Sequence, residues 1–337
     1  MGYIFNIDKQ NLEGAEILCE VMSQDTTSVK LNTACSDKNI GTITLVGATF
    51  PDGTNSCIGS YSGSINLLQS NFSVIFSHPK NITELGNGKG PVLGSGEWLA
   101  PIKIINPKVL EEFENLKQLN LYGSGIIKSG SNLRFNKLAN LEYLNLSFPF
   151  INNNEIIKLP KLTAVRLYGV RLLFDLTVCK NLKTVEKAEM LKPWQQLSEL
   201  STSLVKLELL NNAGSVFRGT TEDLSKFTSL TYLSLGKSMI IGDIRNLPPQ
   251  ITTFIAGNSF DLDYSKVNGD KILDTITTWN SENIKMDSDV LDNLIISISK
   301  STLTSKSVIT LNGIRTSASD SAVEVIQNTG ATLNIIN

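Results

Sequence analysis

The sequence predicts an α/β solenoid of stacked repeats whose strands lie parallel on one side. A small β-rich domain precedes the repeats and helix–strand units follow them. Three observations favour this fold: one apolar pattern recurs through the middle of the chain, a second apolar row precedes each recurrence, and both ends of the chain depart from the pattern. We therefore divide the chain into residues 1–105, 106–260 and 261–337.

The recurring pattern has the form L-x-x-L-x-L, as in Leu116–Leu121 and Leu141–Leu146. The units begin at Leu116, Leu141, Leu162, Leu182, Leu204, Leu230 and Ile251, so they are 20 to 26 residues long. Alternate residues of a strand point to opposite faces. The leucines are therefore expected to face a core shared with the next repeat, and the residues between them to face solvent on a concave side. One repeat cannot bury its own leucines, so the repeats must stack.

A second apolar row comes before each strand. Its members are Leu110 and Phe113, Phe135 and Leu138, Ile156 and Leu159, Leu176 and Cys179, Leu197 and Leu200, and Leu224 and Phe227. This row predicts turns or 3₁₀ segments that close the convex wall. Together the two rows resemble the leucine-rich-repeat family, which is specific for fold rather than for role.

Residues 1–105 predict a β-rich domain with one helix. The apolar spacing over Leu12–Ser23 favours an amphipathic helix. Short strands are expected after it, at Ser28–Leu31, Thr42–Val46, Ile65–Leu68 and Phe72–Phe76. Gly86–Gly96 is glycine-rich and predicts a loop or linker. Trp98 and Ile102–Ile105 come just before the first repeat and could cap it.

The C-terminal section changes to longer helix–strand units. Asp289–Lys300 and Ser319–Asn328 predict helices, and Val308–Leu311 and Thr332–Ile336 predict strands. The stretch Asn312–Val323, with Gly330–Ile335, resembles the C-terminal repeats of leucine-rich-repeat proteins from gut anaerobic bacteria and the tailed phages that infect them.

Composition and the distribution of apolar residues do not indicate a nucleic-acid-binding, membrane-spanning or secreted protein. Of the 337 residues, 18% are charged and the net charge is −2, which does not indicate a nucleic-acid partner. No apolar stretch reaches the 18 residues that would predict a membrane span. The first residues also lack the basic and apolar segments of a secretory signal.

The residues that carry chemistry are few. His78 is the single histidine, so histidine-based triads and H-E-x-x-H zinc sites are not expected. The four cysteines lack C-x-x-C spacing and are interpreted as reduced, mostly buried thiols. Gly86–Gly96 lacks the G-x-x-x-x-G-K-[ST] motif that holds phosphates. We therefore predict a non-enzymatic protein with no catalytic residue, cofactor or metal site.

What remains is the surface between the leucines. Tyrosine is frequent there, and it combines a large contact area with a hydroxyl, which suits recognition of protein or sugar. Exposed strand positions also favour Tyr and Thr without any binding role. The candidate binding residues are Gln118, Asn120, Tyr122, Tyr143, Asn145, Arg166, Tyr168, Lys206, Glu208 and Tyr232.

The sequence is compatible with three functions. The favoured one is a recognition or assembly protein of a tailed-phage particle, which docks by its N-terminal domain and presents the repeats to a host surface protein or glycan. The alternative is a bacterial surface or secreted interaction protein. An enzyme is least favoured because the sequence shows no catalytic motif. The expected location is accordingly the virion, with the bacterial cell surface as the alternative.

Overall fold

The computed structural model describes residues 14–21, 27–37, 41–86, 102–121, 126–127, 133–147, 155–168, 173–188, 195–209, 217–236, 238–258 and 261–336. The chain forms two compact units, unit 1 (residues 1–153) and unit 2 (residues 154–337). The domain boundaries predicted near residues 105 and 260 fall within unit 1 and unit 2, respectively, and stay predictions. Tyr122, Trp98 and most of Gly86–Gly96 lie outside the described residues.

Unit 1 consists of strands and short 3₁₀ turns in its described part. The strands are β1 Ala15–Val21, β2 Ser28–Cys35, β3 Thr42–Val46, β4 Ala48–Thr49, β5 Ser56–Ile58, β6 Tyr61–Leu67, β7 Asn71–Phe76, β8 Ile82–Gly86, β9 Ile102–Ile104, β10 Gln118–Leu121, β11 Ile126–Ile127 and β12 Tyr143–Ser147. The 3₁₀ turns are Pro79–Asn81, Pro107–Glu112 and Phe135–Lys137.

These strands form two sheets. One has the order β11-β9-β1-β7-β3-β5, and the other has the order β4-β6-β2-β8-β10-β12. In the second sheet β8 pairs antiparallel with β2 and parallel with β10. The β-rich part and the first repeats therefore share one sheet. Gly86, the first residue of the stretch predicted as a loop or linker, is instead the last residue of β8 and pairs with Asn120 of β10.

The helix predicted over Leu12–Ser23 is also wrong in its described part. Residues Ala15–Val21 form strand β1, in which buried and half-buried side chains alternate strictly. Ala15, Ile17, Cys19 and Val21 are the buried set. This two-residue period is the period of a strand, and pairing with both β7 and β9 fixes it.

Gly86 shows why the junction between β8 and β10 needs a residue without a side chain. A Cβ atom at this position would lie 2.4 Å from the backbone oxygen of Asn120 and 2.9 Å from its Cβ. Backbone cannot move aside as a flexible side chain can, so only glycine lets β10 approach β8 at this register.

Unit 2 carries the remaining repeats and the C-terminal helices. Its strands are β13 Ile156–Ile157, β14 Ala164–Tyr168, β15 Leu173–Phe174, β16 Thr184–Ala188, β17 Gln195–Gln196, β18 Lys206–Leu209, β19 Phe217–Thr220, β20 Tyr232–Ser234, β21 Met239–Asp243, β22 Thr253–Ile255, β23 Leu262–Asp263, β24 Thr278–Met286, β25 Val308–Gly313 and β26 Thr332–Ile336. Its helices are α1 Thr221–Leu224, α2 Ser288–Ser299 and α3 Asp320–Asn328. Leu176–Val178, Leu197–Glu199, Ile244–Asn246 and Ser317–Ser319 form 3₁₀ turns.

One strand per repeat stacks in parallel, which confirms the predicted solenoid. The order in unit 2 is β14-β16-β18-β20-β22-β24-β25-β26, and β10 and β12 stack in the same way in unit 1. The leucine row fills the core: Leu119, Leu144, Leu207 and Leu233 are each 0% exposed. Leu121 is the exception, because it is half-buried.

The convex wall is also close to the prediction. Five of the six predicted pairs are buried throughout. In the remaining pair Ile156 is 39% exposed and the neighbouring Ile157 is buried in its place. Four of the six pairs begin in a 3₁₀ turn as predicted, whereas Leu224 lies in helix α1 and Ile156 lies in strand β13. The sequence reading missed the short parallel strands that precede these turns, such as β19 and β21, which pair with each other.

Polar side chains connect successive repeats at the turn before each strand. Asn140 donates its side-chain amide to the backbone oxygen of Glu114 at 2.8 Å. In unit 2, Ser201 donates its hydroxyl to Lys180 O at 2.8 Å and Gln250 donates its amide to Phe227 O at 2.7 Å. Each of these hydrogen bonds joins a repeat to the preceding one and therefore helps to fix the register in which the repeats stack. The buried leucines contribute the apolar packing between repeats.

The C-terminal section matches its prediction closely. Helix α2 begins one residue before the predicted Asp289, and α3 begins one residue after the predicted Ser319. Strands β25 and β26 pair in parallel at the predicted places, with Ile309 opposite Leu333.

Candidate binding surface

The strand face is defined here as the side chains that alternate with the buried row on the parallel strands. In unit 1 it comprises Glu84, Gln118 and Tyr143 in one row and Gly86, Asn120 and Asn145 in the next. In unit 2 one row comprises Ala164, Thr184, Lys206, Tyr232, Thr253 and Thr278. Arg166 lies opposite Glu186, and Glu208 lies opposite Ser234.

The strand face of unit 1 is more enclosed than the alternation predicted. Tyr143 is 7% exposed and Asn145 is 4% exposed, so the expectation that both face solvent is wrong. The Asn145 side-chain amide donates to Asn120 Oδ1 at 3.0 Å, which uses polar groups that a ligand would need. Gln118 and Asn120 remain half-exposed.

Unit 2 brings the neighbouring predicted residues Lys206 and Glu208 together with Tyr232 and Glu186, which belong to the adjacent strands. Lys206 forms an ion pair with Glu186 and a second one, at 3.2 Å, with Glu208. Its Nζ lies 4.5 Å from the centre of the Tyr232 ring, within the range of a cation–π contact. We name Glu186, Lys206, Glu208 and Tyr232 the lysine cluster.

The cluster is well ordered by its own contacts. The side chains of Glu186, Glu208 and Lys206 are 5%, 15% and 22% exposed. Burial lowers the pKa of Lys206, but the hydrogen bond to Glu186 and the charges of Glu208 and Glu186 outweigh it and hold that pKa above its usual value. Burial, with the charge of Glu208, raises the pKa of Tyr232. The lysine therefore stays an ammonium and the tyrosine stays a neutral phenol at neutral pH.

Glu186 is not among the candidate binding residues predicted from the sequence. The selection missed that Glu186 is the most buried charge of the group and the direct partner of Lys206. Only the register between β16 and β18, which pairs Thr184 with Lys206, brings the two side chains together. The backbone of Tyr168 ends strand β14, and its side chain lies outside the described part, as does all of Tyr122.

Chemistry elsewhere in the described residues is sparse. His78 is exposed at the start of the 3₁₀ turn Pro79–Asn81, with its Nδ1 2.9 Å from Ser77 Oγ. The described part contains no group of three or more His, Cys, Asp or Glu side chains placed to hold a metal ion. No described helix is long and apolar enough to cross a membrane.

Unit 1 has an apolar cavity of about 50 Å³ between its two sheets, lined by residues that include Ile17, Phe72 and Leu85. Pockets for small organic ligands usually measure about 300–1,000 Å³. The cavity is therefore interpreted as a packing gap, and the strand face remains the candidate site.

We expect Lys206→Met to lower the free energy of unfolding by about 1–3 kcal/mol, because two carboxylates, one of them buried, lose their ammonium partner. Urea unfolding at neutral pH measures the loss. The pKa of Lys206 is raised in the folded state. The contribution of Lys206 to the free energy of unfolding is therefore fully present below its unfolded-state pKa of about 10.4, and it disappears as pH rises through its folded-state pKa. The difference in free energy of unfolding between wild type and Lys206→Met should therefore stay constant near neutral pH and become smaller at strongly alkaline pH.

Lys226→Met is the matched control, because the Lys226 ammonium is more exposed and lies 3.9 Å from Asp223. Exposed pairs contribute only about 0–1 kcal/mol. Equal losses in the two variants would contradict the buried role of Lys206.

Comparison with known proteins gives only remote likenesses. No protein-family model matches the chain, and no curated protein matches it. An internalin of Listeria monocytogenes is 17% identical over 77% of this chain and 83% of its own, with a TM-score of 0.45. A leucine-rich-repeat protein of Leptospira interrogans is 14% identical over 76% and 90%, with a TM-score of 0.35.

A plant peptide hormone receptor, in complex with RGF2, is 16% identical over 69% of this chain, with a TM-score of 0.38. This chain covers 34% of the receptor's length. Similarity at this level carries no inference about function. The fold assignment stands on the stacked parallel strands described above.

Proposed function

We propose that this protein is a non-enzymatic recognition protein that binds a protein partner through the strand face of unit 2. The lysine cluster is the observation that carries this proposal. In this cluster Lys206 forms ion pairs with two carboxylates and a cation–π contact with an aromatic ring on one surface. These contacts are present in the chain without a partner. Side chains that are already ordered lose little entropy on binding, so such a surface favours affinity.

The composition of the cluster supports a protein partner. Tyr232 offers its phenol group and remaining ring area, and tyrosine is enriched where proteins contact each other. Arg166 lies opposite Glu186 in the next strand, so the surface carries charges of both signs. A mixed surface of this kind selects a partner by complementary charges rather than by net attraction.

Capture with immobilised full-length protein tests this surface. The experiment compares wild type with Tyr232→Ala, Glu208→Lys and Met239→Ser. Quantitative mass spectrometry measures the proteins that each of the four immobilised forms retains. Met239 is 46% exposed on β21, away from the strand face, and serves as the control. We expect a partner that Met239→Ser retains and both strand-face variants lose. Identical capture by all four proteins would exclude the strand face of unit 2 as the binding site.

We further propose that the recognition role belongs to a tailed-phage particle. The support is the resemblance of Asn312–Val323 to repeats of phage and gut-bacterial proteins. Particles purified on a density gradient should then contain the chain in constant ratio to the capsid protein. If instead the chain is absent from particles and is released by protease treatment of intact bacteria, the alternative of a bacterial surface protein replaces this proposal.

A further inference from the structure

The last strand of unit 2 ends its sheet with an edge that lacks the usual protection. Natural edge strands are commonly protected by charged residues, proline or a bulge. Strand β26 reads Thr-Leu-Asn-Ile-Ile and contains neither charge nor proline, and its pairing with β25 has an unbroken register. In the described part of the chain, no strand pairs with its far side.

The core row is open at this edge as well. Leu333 and Ile335 lie opposite Ile309 and Leu311 of β25. The two β25 residues are 0% exposed, whereas Leu333 and Ile335 are only half-buried, and Ile336 is 43% exposed. In the described part of the chain, β26 therefore leaves partly exposed the apolar row that β20, β22 and β25 bury.

The register shows which backbone groups the edge offers. The amide of Thr332 donates to Ser307 O at 2.9 Å, so Thr332 directs its polar backbone groups toward β25. Successive residues of a strand direct these groups to opposite sides. Asn334 and Ile336 therefore also face β25, while Leu333 and Ile335 direct their N–H and C=O groups to the open edge.

We propose that a second copy of this chain covers the edge by antiparallel pairing of β26 with its own counterpart. With the two-fold axis at Asn334, Leu333 lies opposite Ile335 of the second copy and Ile335 lies opposite Leu333. Both are the residues whose backbone groups face the edge, so this register forms four backbone hydrogen bonds. Asn334 then lies opposite its own copy as a non-hydrogen-bonded pair.

This register is self-complementary in its side chains too. Opposite residues in an antiparallel pair share one face of the sheet, so Leu333 and Ile335 of both copies meet on the core side. The contact is isologous and closes after two copies, as a two-fold interface must. An uncharged strand also brings no like charges together across the axis, which favours a second copy over a charged peptide.

Sedimentation velocity of the full chain over a wide concentration series tests the pairing. We expect wild type to show a reversible monomer–dimer equilibrium. Ile335→Pro removes an N–H that faces the edge and spares the bonds to β25, and proline is tolerated on edge strands in that orientation. Leu333→Lys places a charge on each side of the axis. Each variant should raise the dimer dissociation constant by about tenfold or more, since bonds are lost in both copies.

Ile314→Lys is the control, because Ile314 is 64% exposed but lies after β25 and outside the edge strand. It should dimerise like wild type. Hydrogen exchange adds a second measurement: the amides of Leu333 and Ile335 should become protected as wild-type concentration rises, while helix α2 keeps its protection in every variant. A wild type that stays monomeric at all concentrations overturns the proposal. So does a dimer that Ile335→Pro and Leu333→Lys leave unchanged, or that Ile314→Lys weakens equally.

Discussion

Replacing Trp279 by alanine should lower the free energy of unfolding of unit 2 by about 3–5 kcal/mol, the range measured for removing a large buried ring. Trp279 is 0% exposed and lies between Phe254 and Ile309 of the adjacent strands. Its ring meets that of Phe254 edge-on, with centroids 4.9 Å apart. Because neighbours on both sides are fixed in the sheet, the cavity cannot collapse.

The ring is held by a hydrogen bond as well as by packing. Trp279 Nε1 donates to Ser281 Oγ at 3.0 Å, and the Tyr264 hydroxyl lies 3.0 Å from the same oxygen. Ser281 is 0% exposed, and burial raises the pKa of Tyr264 well above its usual value. These three polar groups therefore satisfy one another inside an apolar core, as buried polar groups must.

Two further variants separate packing from hydrogen bonding. Trp279→Phe keeps most of the ring and should cost clearly less than Trp279→Ala. Ser281→Ala leaves the Trp279 N–H without its acceptor and the Tyr264 hydroxyl without its partner, at about 1–3 kcal/mol for each unsatisfied group. Urea unfolding with hydrogen exchange of β24 and β25 measures these losses within unit 2. A loss below about 1 kcal/mol for Trp279→Ala would contradict the enclosed position of the ring.

The sequence was sufficient for the repeats because their signal is local and repeated. Leu204, Leu207 and Leu209 predict a buried strand by spacing alone, and their equivalents in other units confirm the period. The same logic failed at Ala15–Val21, where counting apolar residues from Leu12 suggested a helical period. The segment is a strand because it pairs with β7 and β9, and this pairing cannot be predicted from the local sequence pattern.

The candidate site was predictable as a set of positions but not as a structure. Lys206 and Glu208 were selected because they alternate with leucines, which is local information. Their contact with Glu186 and Tyr232 depends on strand registers that join residues 20 to 26 positions apart. The burial of Tyr143 and Asn145 was missed because alternation along one strand does not show how deeply a side chain is enclosed in the fold.

The second large effect is expected at Asp292 on helix α2. This carboxylate is 4% exposed and accepts hydrogen bonds from the Thr316 amide at 3.1 Å, from the Thr316 hydroxyl and from the Ser319 hydroxyl at 2.6 Å. It thereby ties α2 to the turn that begins α3. Asp292→Ala removes the acceptor of these bonds and leaves the Ser319 hydroxyl, at 0% exposure, with only a long bond of 3.4 Å to Thr316 O. We expect a loss of about 2–4 kcal/mol, because unpaired buried donors each cost about 1–3 kcal/mol.

The pH dependence of this loss follows from the pKa of Asp292. Burial raises that pKa, but hydrogen bonds from Ser319 and Thr316 and the charge of Arg315 outweigh it and hold the pKa below its usual value. A depressed folded pKa contributes stability that is fully present above the unfolded value of about 3.9 and is lost as pH falls through the folded value. The difference in free energy of unfolding between wild type and Asp292→Ala should therefore be constant near neutral pH and become smaller at acidic pH.

Asp287→Ala provides the matched control, because Asp287 is an exposed carboxylate at the start of the same helix and its side chain makes no capping hydrogen bond in the described structure. Its removal should change the free energy of unfolding by less than about 0.5 kcal/mol. Urea unfolding across a pH series gives the energies, and hydrogen exchange of residues 320–328 shows whether α3 is the element released. If Asp287→Ala costs as much as Asp292→Ala, or if α3 keeps its protection in the Asp292 variant, the carboxylate does not tie the two helices together.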